Sequence, residues 1–137
     1  MSFAIRKVSE GTHGELLLSL DRKLFPHSPR IDLGKSLWWI VNSGPVAIGF
    51  AGITLSKRFK NAYLCRAGVL EDFRGRGLHK RLLRVRIKEA RLIGMETVTT
   101  DVASWNIVSA NNVISCGLRL YLPKRADPGF LFFKRKL

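Results

Sequence analysis

The chain has 137 residues, 24 of them Lys or Arg against 10 Asp or Glu, for a formal net charge of +14. That length suits one domain with a real core and is too short for two, and an apolar share of 46% with only 12 Gly and 5 Pro excludes a disordered chain. No apolar segment reaches membrane-span length and residues 1–6 lack the apolar core of a signal peptide, so the expectation is a cytoplasmic protein without a membrane partner.

Phe3 to Val8 alternates apolar and charged residues, the pattern of a half-buried strand. A helical pattern starts at Ser9 and Glu10 and runs to Phe25, with Leu16, Leu17, Leu20 and Leu24 along one side and Pro26 ending it. The loop from Pro26 to Lys35 is polar and turn-prone, with room for a short helical turn, and such loops often line a site. Leu37 to Val41 and Val46 to Leu55 read as a hairpin through Asn42-Ser43-Gly44-Pro45, and Gly49 and Gly52 signal close packing or a bulge. After a basic connection, Ser56 to Asn61, Ala62 to Leu70 reads as a strand. Gly77 to Ile93 is an amphipathic helix: Leu82, Leu83, Ile87, Ala90 and Ile93 face a core, most of the basic residues face away, and Gly94 stops it. Glu96 to Val102 is a β-branched strand, and a helix led in by Ser104 or Trp105 ends at Cys116 before Gly117. Leu118 to Leu122 and Phe130 to Lys134 are two closing strands. There are no repeats and no internal linker, so residues 1–137 read as one layered α/β domain, a mixed sheet of about seven strands flanked by helices.

The chain is organised around the turn between a strand and the long helix, Arg74-Gly75-Arg76-Gly77-Leu78-His79. The first turn of a helix has backbone N–H groups without partners, and aligned peptide dipoles add partial positive charge there. Gly75 and Gly77 let the backbone approach a phosphate while Arg74 and Arg76 supply charge, so the turn reads as a pyrophosphate cradle. Beside it Lys80, Arg81, Arg84, Arg86, Lys88 and Arg91 crowd the helix against Glu89 alone. A charge of +14 raises the local concentration of any polyanion: a phosphorylated cofactor, nucleic acid or an acidic protein. Cys65 and Cys116 lie in apolar surroundings without CxxC spacing and read as free thiols. His13, His27 and His79 show no ligand spacing, and no metal is expected.

The order of elements, this turn and the segment Asn106 to Leu118 together resemble the GCN5-related N-acetyltransferases, the GNAT family, over essentially the whole chain and most specifically over residues 67–118. The family's turn is Arg or Gln, two residues, Gly, one residue, then Gly or Ala; Arg74 and Gly77 match, and His79 departs at the last position. Further on the family has Asn, a small residue three later, Tyr seven later and Gly-Phe eleven and twelve later. Asn106, Ser109, Gly117 and the apolar Leu118 keep that spacing, and Val113 replaces the Tyr. The resemblance implies a three-layer domain that takes acetyl-coenzyme A as cosubstrate and acetylates a primary amine by direct attack in a ternary complex. It implies cofactor contacts from Val69, Leu70, Glu71, Arg74, Gly75, Arg76, Gly77, Leu78 and His79, and from Asn106 and Ser109 on the other side. The Val69 amide would be the oxyanion donor. The Tyr that commonly protonates the departing thiolate is missing, and a thiol of pKa ~8.5 leaves tolerably without it.

An amine acceptor arrives as ammonium and needs a base. Asp101, five residues before Asn106 at a strand end, is the first candidate, where some members of the resembled family carry a catalytic Glu; Glu71 is the second. Without catalysis, Asp101 solvates a strand end and Glu71 pairs with Arg74 or Arg76. Tyr63 and Tyr121 read as packing residues with a hydroxyl to donate, Ser115 and Cys116 as a helix end, His13 and His27 as surface residues, and Trp38, Trp39 and Trp105 as core or rim aromatics. The acceptor, whether a small molecule, a protein or an RNA-borne amine, is not legible. Two other readings stand beside the enzyme, each with the fold retained but catalytically impaired: a basic nucleic-acid-binding module using the long helix on phosphates, and a coenzyme-A-binding regulatory module. Phe130-Leu131-Phe132-Phe133 reads either as a doubly buried strand or as a surface that pairs with a second copy in a homodimer.

Overall fold

The computed structural model, which describes residues 2–137, contains β1 (Phe3–Val8), α1 (Glu10–Leu24), β2 (Ser36–Ser43), β3 (Val46–Ser56), β4 (Asn61–Val69), α2 (Leu78–Leu92), β5 (Thr97–Ala103), α3 (Ile107–Ser115), β6 (Arg119–Tyr121) and β7 (Phe130–Lys136). Short 3₁₀ turns at Leu33–Lys35 and Glu71–Phe73 complete it. The strands make one seven-stranded sheet in the order β1-β2-β3-β4-β5-β7-β6. All pairings are antiparallel except β4 with β5, which gives the mixed sheet that the sequence pattern predicts. β7 is paired by β5 along its whole length and by β6 over Phe132, Phe133 and Lys134, so it is an internal strand there, while Phe130 and Leu131 pair with β5 alone. Among the described residues no helix is long and apolar enough to cross a membrane.

Both faces of the sheet carry helices. On one face α2 and α3 cover Leu64, Val98 and Phe133 with Leu82, Leu83, Ile87 and Val113. On the other, Leu17 and Leu20 of α1 meet Trp38, Ile40 and Phe50. Leu16 and Ile93 are expected to face a core but stand 39% and 41% exposed. Leu16 lies beside the buried stripe, which Asp21 joins instead, and Ile93 is the residue that caps α2 rather than part of its apolar face.

Arg86 is the larger correction. Most of the basic residues of α2 are expected to face away, and Arg86 is the exception: it is 1% exposed and points into the sheet. Its Nη1 donates to the carbonyls of Gly52 and Cys65, each at 3.0 Å, and its Nε to Leu82 at 3.1 Å. Those two strand carbonyls flank a bulge: the register passes from Ala51↔Ala67 to Gly52↔Cys65 and leaves Arg66 unpaired. A bulge interrupts the ladder, and a guanidinium with five donors replaces the missing bonds. Burial lowers the Arg86 pKa to about 10, so it stays charged at neutral pH. The unpaired Arg66 reaches α1, with its Nε 3.4 Å from Asp21 Oδ1, and donates to the Pro29 carbonyl at 2.7 Å, which pins the loop after α1 to β4.

The bulge precedes the feature that organises the site. β4 and β5 pair only over Asn61–Tyr63 with Thr97–Thr99. Thr100 Oγ1 donates to the Leu64 carbonyl at 2.8 Å, and beyond it β4 stays with β3 while β5 follows β7. The two strands therefore open as a fork.

Candidate functional site

One arm of the fork is β4. The Leu70 N–H donates to the Ile48 carbonyl at 2.8 Å. Backbone groups alternate sides along an antiparallel strand, so the amides of Val69 and of Ala67, two residues back, are turned away from β3 into the fork. Sequence reasoning reached Val69 and missed Ala67, which is the nearer of the two to the closed end of the fork. The Val69 carbonyl is taken by Arg74 Nε at 2.9 Å, which ties the turn to the strand that feeds it.

Beyond Leu70 and the exposed Glu71, that turn opens α2. Gly75 and Gly77 have φ of 77° and 75°, a region that strains other residues, and no atom lies within 4 Å of where a Cβ would stand. The first bond of α2 runs from Arg81 N–H to Gly77 at 3.1 Å, so the amides of Leu78, His79 and Lys80 have no backbone acceptor. The turn is open and lined by these three amides. Arg76 does not simply face outward: its guanidinium carbon lies 5.8 Å and 5.9 Å from the ring centroids of Phe3 and Phe73.

The departure at His79 has a structural consequence. Burial, with Arg86 nearby, pushes its pKa down to about 4. It is neutral at pH 7, and with Asn112 Nδ2 donating across 3.2 Å, Nδ1 accepts and Nε2 keeps the proton. His79 thus bridges α2 to α3, next to the buried Val113 that replaces a tyrosine. Asn106 caps α3: its Oδ1 accepts from Ser109 N–H at 3.1 Å, which leaves only its Nδ2 to donate elsewhere.

At the closed end of the fork Tyr63 and Asp101 meet. The Tyr63 hydroxyl donates to Asp101 Oδ1 at 2.6 Å, across the two strands that separate there. Burial first, then this hydrogen bond to Asp101, raises the Tyr63 pKa well above the usual tyrosine range. Tyr63 therefore stays a proton donor to Asp101, while Oδ2 of Asp101 accepts no hydrogen bond among the described residues. Tyr63, read from the sequence as a packing residue with a hydroxyl to donate, is a candidate that its contact with Asp101 brings forward. The pair lies on the face that α1 covers only in part, where Phe132 and Tyr121 are half-buried in line with Asp101.

The remaining candidates lie apart from this pair. Glu71 stands at the open end of the fork, beyond Val69. His13 bonds Thr12 Oγ1 at 2.7 Å in the first turn of α1, and His27 is exposed. Ser115 Oγ donates to the Asn112 carbonyl at 2.8 Å, and Cys65 and Cys116 are free thiols. Trp38 and Trp39 are core; Trp105 is 80% exposed. Arg84, Lys88 and Arg91, with Arg135, line a hollow of about 510 Å³ between α2 and the end of α3.

Residues 9–117 match the profile of the acetyltransferase (GNAT) family. The fold is similar to an IAA acetyltransferase from Bacillus cereus, with 18% identity over 99% of this chain and 100% of that one and a TM-score of 0.82. An acetyltransferase from Bacillus subtilis in complex with CoA gives 18% identity over 99% of each chain and a TM-score of 0.79. The ribosomal-protein-S18-alanine N-acetyltransferase from Escherichia coli gives 17% identity over 98% of this chain and 94% of that one, also with a TM-score of 0.79. Comparison with curated protein sequences found no match.

Proposed function

The chain belongs to the acetyltransferase (GNAT) family, and we propose that it transfers an acetyl group from acetyl-coenzyme A to a primary amine. The observation that carries this reading is the fork: an amide-lined strand edge leads from a Tyr63–Asp101 pair at its closed end to an anion cradle at its open end. The coenzyme bound to the Bacillus subtilis relative supports the cosubstrate. Acetyl-coenzyme A supplies a thioester carbonyl as electrophile and a thiolate as leaving group.

The residues divide the work by position. The free amides of Leu78, His79 and Lys80, with the guanidinium of Arg74, hold the pyrophosphate. The Val69 amide holds the chain that runs along the fork. The Ala67 amide, nearer Asp101, donates to the carbonyl oxygen as it gains negative charge. Asp101 Oδ2 takes one proton from the ammonium of the acceptor, and Tyr63 fixes the carboxylate through Oδ1. The nitrogen then attacks: a C–N bond forms, the C–S bond breaks, and a second proton of the nitrogen passes to the departing sulfur. The products are a neutral amide and a thiol, and Asp101 returns its proton to water. Val113 offers no donor at the sulfur, and a leaving thiol of pKa ~8.5 needs none at neutral pH.

The test is thiol release from acetyl-coenzyme A with a panel of primary amines, checked by the mass gain of one acetyl group on the amine. Saturable turnover that falls in Asp101→Asn is expected. Thiol release no faster than the uncatalysed rate for every amine would contradict the reading.

A further inference from the structure

The open face beside Asp101 carries an imbalance of charge that the reaction does not require. In register across the sheet, one row holds Asp101, Phe132 and Tyr121, and the next holds Thr99, Lys134 and Arg119. All six side chains lie on one face, because residues two apart on a strand point the same way. Lys134 and Arg119 stand directly opposite each other and are exposed. Like charges in that position are destabilising. Neither has a carboxylate within 4 Å among the described residues. Lys136 extends the same side of β7, and Asp101 is the single acid that β5, β6 and β7 present there. Lys134 Nζ lies 5.9 Å from the centroid of Tyr121, which draws its ammonium toward the row that contains Asp101.

We infer that the acceptor is a primary amine bearing an anionic group, carboxylate or phosphate, about 5–8 Å from its nitrogen, the diagonal span between Asp101 and Lys134 on one sheet face. The amine sits on Asp101 and the anion between Lys134 and Arg119, where it relieves the like-charge pair. This rests on the acetyltransferase reading above and adds the substrate class. A purely cationic amine is disfavoured at the same place, since three cations face it against one carboxylate.

The experiment compares three acceptors of one length: δ-aminovalerate, its neutral amide and aminopropyl phosphate, in thiol release with acetyl-coenzyme A. At least one anionic amine should exceed the neutral amide by about tenfold or more in kcat/KM, mostly through KM. The preference should vanish in the Lys134→Ala/Arg119→Ala double variant while the neutral amide reacts as before. Which anion is faster identifies carboxylate or phosphate as the natural group. Equal rates for amide and anions, or a preference that survives the double variant, overturn the inference and leave the acetyltransferase reading standing. If no amine turns over, that reading fails, and calorimetry with N-acetyl-δ-aminovalerate and its amide decides the inference separately: binding of the acid alone, lost in the double variant, upholds it, and equal or absent binding overturns it.

Discussion

The Tyr63–Asp101 hydrogen bond makes a quantitative prediction about division of labour. It spans 2.6 Å between residues of separate strands, and Tyr63 stays protonated because burial and Asp101 itself oppose its ionisation. A hydrogen bond to a charged group is worth about 1.5–3 kcal/mol. Tyr63→Phe should therefore lower kcat/KM by roughly ten- to 150-fold, at about 1.4 kcal/mol per factor of ten. Asp101→Asn removes the base and should cost about 10²–10⁴-fold. Because Tyr63 acts through Asp101, the double variant should be no slower than Asp101→Asn alone. The assay is a double-mutant cycle on kcat/KM by thiol release with one saturable amine, with circular dichroism to confirm that each variant folds. Effects that multiply in the double variant would mean that Tyr63 meets the substrate independently, and an unchanged rate in Asp101→Asn would remove that residue from the mechanism.

Three further outcomes follow from the surroundings of the site. His79 has a pKa of about 4 in the fold and 6.5 in the unfolded chain. Unfolding takes up a proton between those values, so the contribution of His79 is complete above pH 6.5 and is lost as pH falls toward about 4. Its ceiling is about 3 kcal/mol, and urea melts across that range should show a smaller acid loss in His79→Asn; an equal loss would contradict the buried neutral imidazole. Arg86→Met strips the Gly52 and Cys65 carbonyls of their donor, at about 1–3 kcal/mol each, while relieving the burial of a charge worth about 3 kcal/mol. The two stripped carbonyls together outweigh the relieved burial over most of that range, so a net destabilisation of up to about 3 kcal/mol is expected in denaturant melts, and a variant more stable by over about 1 kcal/mol would show that the bulge does not depend on Arg86. Arg74→Ala frees the Val69 carbonyl and removes charge from the cradle, so acetyl-coenzyme A affinity should fall about tenfold or more by calorimetry; unchanged affinity would take Arg74 out of the site.

What was legible from the sequence depended on how local the cause is. Gly75 and Gly77 declare a turn of positive φ wherever they stand, and the apolar spacing of α2 declares its buried side. The element order therefore emerged from neighbouring residues alone. The fork is different: it arises because β4 and β5 share only three residue pairs, and no local pattern states where a parallel pairing stops. Tyr63 and Asp101 are 38 residues apart, and their contact is a product of that register. Arg86 was not told apart from the other basic residues of α2, although the signal was present. Positions 82, 86 and 90 lie four apart on one helical side, so Arg86 sits between the buried Leu82 and Ala90; charge outweighed periodicity in the reading, and the bulge that makes a buried cation useful is non-local. The Lys134–Arg119 opposition likewise appears only when β6 and β7 are set in register.

The central claim is that fork and cradle form an acetyl-coenzyme A site, and calorimetric titration of the purified protein with acetyl-coenzyme A tests it most directly. One-to-one binding with a Kd on the order of micromolar, retained at moderate salt and abolished by Gly77→Trp in a folded variant, is the predicted result. Absence of binding at any salt concentration, or equal binding by Gly77→Trp, would contradict it.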